Sequence, residues 1–375
     1  VTQPHGPAEA VIDLDALQAN LASIMLIVAP ATVMAVVKAD AYGHGAVEVA
    51  RAAREVGVAW LGVAFPTEAL ALRAAGDAGP MLAWLYAPDD PHLQACIAAD
   101  VDVSVSSIDD LGDVVIAGAG RNPFVHLKID TGLGRGGCSI GDWPALVRAA
   151  REAELAGVLT VRGVWSHFAV SDEPHRSENA LQIAVFNEAV RIAHEVGLEP
   201  TFIHLANTAG ALVRPEARFD LVRIGIGAYG ISPGSDVGVP DDLGITPVMS
   251  VCTQVAQLKQ VPAGHGVSYG LTWRADRPST LALIPLGYAD GIPRSSTGAQ
   301  VQIAGQRFDV VGRIAMDQFV VDVTDGDVAS GDEVVIFGSG ESGEPTAEDW
   351  ATWSGTIPYE IVTRIGPRVR RRYKA

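Results

Sequence analysis

A lysine at the end of an apolar run offers the first chemistry in this chain. Val33 to Val37 is short and β-like, and it delivers Lys38 into Ala39-Asp40-Ala41-Tyr42-Gly43-His44-Gly45, an aromatic, glycine-punctuated stretch expected to be a flexible loop. Burial in an apolar pocket lowers a lysine's pKa and frees its lone pair, which suits it to form a Schiff base with an aldehyde cofactor. A solvated lysine closing a strand is the commoner case, so other residues must decide between the two. Arg223-Ile224-Gly225-Ile226-Gly227 is the second group. Its glycines let backbone N–H groups approach an anion, and Thr208 and Tyr42 can add hydroxyl donors. Lys128, Asp130, Arg135, His167, His204 and Asn207 end or follow other apolar runs. Taken singly, such residues are often turn or ion-pair residues. Farther on, glycines flank tyrosines in Gly266-Val267-Ser268-Tyr269-Gly270 and Gly287-Tyr288-Ala289-Asp290-Gly291, and Met316-Asp317 closes a third polar loop. A loop tyrosine without other information is a surface packing group.

The elements that must position these residues alternate. Apolar, β-branched runs fall near 33–37, 58–64, 80–86, 101–106, 124–130, 160–165, 201–205 and 221–224. Amphipathic helical stretches lie between most of them, at 46–56, 66–75, 142–156 and 178–196, with Pro66 at a first turn and Gly57, Gly76 and Gly197 at helix ends. About eight β-then-α units predict an α/β protein built on a (β/α)8 TIM-type barrel, with a doubly wound open sheet as the alternative. In a barrel, chemistry belongs at the C-terminal ends of the strands, and phosphate commonly sits after strands seven and eight. That is where Lys38, Lys128, Arg135, His167, His204, Asn207, Thr208 and Arg223 fall. After about Pro240 the pattern changes. Runs at 248–261, 280–286, 300–303, 319–323 and 332–337 predict strands with no long helix between them, hence a mostly β C-terminal domain. The run at 9–13 predicts a lone early strand able to join it, and the basic tail 364–374 a last strand. The division expected is 14–238 for the barrel, with 1–13 and 239–375 for the β domain.

Composition narrows the class. The 375 residues are 48% hydrophobic and carry a formal charge of −17, which argues for a globular protein and against nucleic-acid or anionic-membrane partners. Three scattered cysteines, Cys96, Cys138 and Cys252, form no zinc or disulfide pattern and fit a reducing compartment. No metal-binding motif occurs, and no bilayer-length apolar run or charged-then-apolar leader is found, so a cytoplasmic location is expected. Gly132-Leu133-Gly134-Arg135-Gly136-Gly137 fits G-x-G-x-x-G after a strand. A dinucleotide fold would open its helix at the third glycine and end the next strand in an acid. Neither holds, so these glycines are expected to form a mobile or tightly turned loop presenting Arg135.

In order and spacing, the Lys38 loop, the 128–136 segment, His167-Phe168-Ala169, His204 with Asn207-Thr208, Arg223 with Gly225, the Tyr269 and Tyr288 loops and Met316-Asp317 resemble the alanine racemases over nearly the whole chain. The resemblance implies a pyridoxal 5'-phosphate isomerase with a (β/α)8 barrel and a β domain, acting as a homodimer. It implies interconversion of L- and D-alanine and supply of D-alanine for cell-wall peptidoglycan. It assigns Lys38 as the cofactor lysine and one base, and Tyr269, supplied with Met316 to the partner's site, as the opposed base. It implies that Arg135 and His167 stabilise the Tyr269 phenolate. Arg223 would face the ring nitrogen, and His167 would contact Arg223. Tyr42, Asn207, Thr208, Gly225, Ile226 and Tyr359 would complete the cofactor site. Arg135 and the Met316 backbone would take the substrate carboxylate. Lys128 resembles a lysine carbamylated in many members that holds Arg135. Asp172, Tyr288, Arg294, Arg313, Asp317 and Tyr359 match supporting or entry-channel residues. Thr208 replaces a common serine and keeps the hydroxyl, and Ala315 replaces a common cysteine. A serine or broad-specificity racemase is the nearest alternative. A barrel-type amino-acid decarboxylase, a non-catalytic pyridoxal-phosphate barrel and a dinucleotide oxidoreductase lie farther away.

Overall fold

The computed structural model describes residues 8–118 and 120–374. The first strand is β1 (Ala8–Asp13). Eight more follow: β2 (Thr32–Val36), β3 (Trp60–Val63), β4 (Met81–Ala83), β5 (Asp102–Val105), β6 (Phe124–Lys128), β7 (Thr160–Trp165), β8 (Phe202–His204) and β9 (Leu221–Ile224). These eight are parallel, in the order β8-β7-β6-β5-β4-β3-β2-β9. Backbone and side-chain bonds bring the two ends of the sheet together. Asp220 N–H donates to Ile203 O at 3.1 Å and Arg223 N–H to Ala206 O at 3.0 Å. Ile203 N–H donates to the Asp220 carboxylate at 2.8 Å. The sheet is therefore a nearly closed barrel, and the open-sheet alternative does not hold.

The strands are short because their runs are bounded by turn residues, and they are apolar because helices cover their outer faces. Helices at Ala46–Glu55, Pro66–Ala74, Trp143–Leu155 and Ser177–Glu195 lie within two residues of the stretches expected from periodicity. Inside, Met34, Trp60, Leu82 and Leu221 form a buried apolar cluster.

The remaining strands are β10 (Met249–Gln254), β11 (Gln257–Val261), β12 (Gly266–Val267), β13 (Trp273–Arg274), β14 (Ser279–Ile284), β15 (Gln300–Ile303), β16 (Gln306–Val311), β17 (Phe319–Asp322), β18 (Glu333–Phe337) and β19 (Arg370–Lys374). They and β1 build a nine-stranded sheet, β11-β14-β17-β16-β15-β18-β10-β1-β19, beside the two-stranded β12-β13. The early strand β1 does enter this sheet, antiparallel to β10 and parallel to β19. The single run expected at 248–261 is two strands, because the chain breaks at Val255-Ala256 and pairs β11 with β14. Strand β16 and the short helices Ala347–Ser354 and Pro358–Thr363 are additions to the sequence expectation.

The chain forms two compact units. One holds Leu17–Ala41 and Ala46–Ile245; the other holds the described residues up to Ala16, Tyr42–Gly45, and everything from Thr246 onward. Tyr42 to Gly45 thus groups with the β unit, although its sequence position lies among barrel residues; residues 1–7 of the expected β-domain segment lie outside the described residues. Among the described residues no helix is long and apolar enough to cross a membrane, and no cluster of three or more metal-ligating side chains occurs.

Candidate active site

Lys38 leaves β2 into a turn of the opposite hand to an ordinary helix. Ala39, Asp40, Ala41 and Tyr42 have φ values of 52, 53, 53 and 55°, so the expected flexible loop is instead a left-handed turn. That conformation costs L-residues about 1–2 kcal/mol each, and local bonds offset the cost. Ala39 N–H donates to Glu68 Oε1 at 2.6 Å, and Ala46 N–H to Asp40 Oδ1 at 2.7 Å. The other Glu68 oxygen accepts from Ala64 and Phe65 N–H. One carboxylate thereby ties the end of β3 to the residue after Lys38.

Four cations gather at the strand ends of the barrel. Burial lowers the Lys38 pKa, Arg135 and Arg223 lower it further, and Glu68 opposes them. Burial, with Arg223 and Arg135, pulls Lys128 down to about 8. His167 is held well below its ordinary value by burial and then by Arg223, Arg135, Lys128 and Lys38, so it is neutral near pH 7. Arg223 is 4% exposed. Its guanidinium donates to Ser166 O at 2.8 Å, Leu205 O at 2.9 Å, His204 O at 3.3 Å, and the Nδ1 atoms of His167 and His204 at 3.1 Å each. Trp165 joins the group: Lys128 Nζ lies 4.6 Å and the Arg223 guanidinium 4.9 Å from its ring centre, and His204 stacks on it at 5.5 Å. Arg135 rides a tight turn, because Asp130 Oδ1 accepts from Gly132, Leu133 and Gly134 N–H within 3.2 Å.

The phosphate candidates form a cradle. Thr208 Oγ1 accepts from Gly225 N–H at 3.0 Å, and a Cβ at Gly227 would meet Thr208 Cγ2 at 2.7 Å. Asn207 caps the helix Thr208–Val213 through Gly210 N–H and accepts from Ser171 Oγ. Ile226 is buried and Asp172 exposed. This cluster of positive charge beside a glycine-lined hydroxyl cradle fits an anionic, phosphate-bearing aldehyde with a lysine to receive it.

The other site residues belong to the β unit. Tyr42 and Tyr359 bring their rings within 6.3 Å. Tyr269 is 66% and Met316 52% exposed. Ser268, just before Tyr269, has φ 58° and ψ −171°, a region almost confined to glycine. Its Oγ donates to Arg313 O. Gly287 lets the Tyr288 loop lie against the Met316 loop: a Cβ there would meet Ala315 O and Met316 O at 2.3 Å, and Tyr288 and Ala289 N–H donate to those carbonyls. Arg368 pairs with both Asp290 and Asp317. Arg294 and Arg313 are exposed.

Glu68, Trp165, His126, Asp102 and Arg162 were not singled out from sequence. His126 and Lys128 share one face of β6 by the two-residue period, and Trp165 ends β7 two residues before His167. Either spacing could have flagged them.

Comparison with known proteins agrees with this geometry. The alanine racemase N-terminal domain model matches residues 12–233, and the C-terminal domain model matches 248–373. Alanine racemase of Frankia casuarinae is 53% identical over 97% of this chain and 95% of its own length. The Streptomyces coelicolor enzyme is 51% identical over 98% and 95%. The crystal structure of alanine racemase from D-cycloserine-producing Streptomyces lavendulae superposes with a TM-score of 0.97 at 49% identity, covering 100% of this chain and 98% of that one. Cation-lined barrel and tyrosine-bearing β unit alike, this chain belongs to the alanine racemase family.

Proposed function

We propose that the protein interconverts L- and D-alanine with pyridoxal 5'-phosphate, using Lys38 and Tyr269 as bases on opposite faces of the substrate. The observation that carries this reading is Lys38 itself, an amine at a strand end whose pKa is lowered by burial and by Arg135 and Arg223. The cofactor, when bound, supplies the electron sink that makes the substrate's Cα–H acidic. Inversion needs a proton removed from one face and another returned on the opposite face. Lys38 Nζ handles the proton on one side and Tyr269 Oη on the other. Arg135 and His167 stabilise the Tyr269 phenolate.

Arg223 would face the ring nitrogen of the bound cofactor. Arginine only donates hydrogen bonds and holds its proton, so it would hand none to that nitrogen, which would favour return of the Cα proton over transamination. Thr208, Gly225, Ile226, Tyr42 and Tyr359 hold the phosphate, with Asn207 fixing the turn before Thr208. Arg135 and the Met316 backbone take the substrate carboxylate. Lys128, with a pKa near 8, keeps a neutral fraction at physiological pH. Its Nζ can bond to the carbon of carbon dioxide with loss of a proton, and the resulting carbamate would hold Arg135.

The active form is a homodimer in which Tyr269 and Met316 serve the partner's site, a reading supported by their exposure within a single chain. Asp172, Tyr288, Arg294, Arg313 and Tyr359 shape the entry, and Asp317 steadies the Met316 loop through Arg368. The enzyme works in the cytoplasm, and its D-alanine serves peptidoglycan synthesis.

Purified protein should be yellow and should racemise both alanine enantiomers faster than serine. Borohydride reduction and peptide mapping should place the cofactor's mass on Lys38. Lys38→Ala should lose the colour and about 10⁴-fold or more of the activity. A colourless, fully active wild type would refute the cofactor assignment, and serine turnover equal to alanine would move the substrate assignment to a broad-specificity racemase.

A further inference from the structure

A file of polar side chains runs through the interior of the barrel behind Arg223. Arg223 Nη1 donates to His204 Nδ1 at 3.1 Å. His204 Nε2 lies 2.9 Å from His126 Nδ1, and His126 Nε2 lies 3.1 Å from Asp102 Oδ2. Arg162 Nη1 donates to Asp102 Oδ1 at 2.9 Å and Oδ2 at 3.2 Å. Asp102, His126 and His204 are at most 1% exposed. The file joins the first residue of β5 to the third of β9.

The barrel is shaped to hold it. The β6–β7 pairing skips Arg162: Val125 faces Val161, and His126 faces Gly163. This bulge turns Arg162 toward Asp102. At the next residue, a Cβ on Gly163 would meet His126 Nδ1 at 2.2 Å, so the imidazole occupies space that only glycine leaves.

The donors fix a direction. An arginine cannot accept, so His204 Nδ1 carries no proton and its Nε2 does. That proton goes to His126 Nδ1, which leaves the His126 proton on Nε2, aimed at Asp102. At the far end Arg162, which also cannot accept, keeps Asp102 an acceptor. We propose that Asp102 is a positioning residue which, with Arg162, sets the direction of this file and holds both imidazoles as Nε2–H tautomers, so that an acceptor nitrogen always faces Arg223. The consequence for catalysis rests on the reading of Arg223 as the ring-nitrogen partner.

Asp102→Asn tests the direction. With its oxygen kept by Arg162, the amide turns its N–H₂ toward His126 Nε2, which must then accept. The tautomers of His126 and His204 reverse, and His204 Nδ1–H confronts Arg223. The readout is long-range ¹H–¹⁵N correlation of ¹⁵N-histidine-labelled, cofactor-loaded enzyme, with the cofactor's absorbance recorded on the same samples. The wild type should show both imidazoles neutral with the proton on Nε2. D102N should shift the His126 proton to Nδ1 and lower kcat roughly 10-fold with less change in KM, as expected when a carboxylate that fixes a tautomer is lost. D102N/R162L frees the amide oxygen to turn back to His126 and should restore the tautomer and most of kcat, a rescue that a purely space-filling role would not produce. A wild type with a proton on Nδ1 of either imidazole would overturn the proposal, whether or not D102N folds. So would a folded D102N with unchanged tautomers and kcat. Correct tautomers in a wild type that binds no cofactor would refute the Arg223 reading and leave the file standing.

Discussion

Arg223 in the barrel is 4% exposed and makes five hydrogen bonds within its own unit, whereas Tyr269 in the β unit is 66% exposed and follows a serine in a strained conformation. The contrast extends to their neighbours. Lys38, Lys128 and His167 have pKa values lowered by burial and by Arg135 and Arg223. Tyr269 and Met316 are presented on loops, held by backbone contacts such as those of Gly287 with the Met316 loop and by the side chains of Ser268 and Arg368. A (β/α)8 barrel concentrates charge at its strand ends and tunes it there. The β unit holds Tyr269 and Met316 exposed on its loops. This difference suits the division of labour proposed above, with the barrel binding and activating and the β unit delivering the second base.

The contrast can be broken first at the Arg135 loop, where the barrel comes closest to behaving like the β unit. Asp130→Ala removes the acceptor for three backbone N–H groups and should let Arg135 wander. KM for alanine is expected to rise about 10- to 100-fold with a smaller fall in kcat, measured by steady-state kinetics. Unchanged KM would mean that Arg135 does not take the carboxylate.

A smaller effect concerns charge. The folded state disfavours protonated Lys128, so between about 8 and the ordinary 10.5 the unfolded chain binds more protons and stability rises with pH. In carbon-dioxide-free buffer, Lys128→Met should unfold a few degrees above the wild type at pH 7, and the gap should close by about pH 10.5. A gap independent of pH would place the cause in packing on Trp165. The smallest effect lies in the β unit. Ser268→Gly should be more stable than Ser268→Ala by about 1–2 kcal/mol, because glycine relieves the backbone strain that alanine keeps. Equal melting points at matched protein concentration would remove strain from the account of the Tyr269 turn.

Much of the barrel was legible in sequence because its strands are apolar and β-branched and its helices carry a clear period. The β unit was less so. A mixed apolar and polar run with no glycine or proline to mark a turn hid the break at Val255-Ala256, and Gln306-Arg307-Phe308-Asp309 disguised β16. The left-handed turn after Lys38 was hidden as well, since Ala39, Asp40 and Ala41 include no glycine to announce it. Site residues at strand ends could be found from position alone. Asp102 and Arg162 could not, because their chemistry depends on a bulge that emerges only when β6 and β7 pair, and His126 was readable only through its shared face with Lys128.

The central claim is that two opposed bases divide the reaction. Its most direct test is Cα-deuterium uptake from D₂O during single turnovers of each alanine enantiomer by Tyr269→Phe. The two-base account predicts that proton abstraction from L-alanine falls about 10³-fold, while abstraction from D-alanine, the task of Lys38, changes far less. Equal loss from both enantiomers would contradict it.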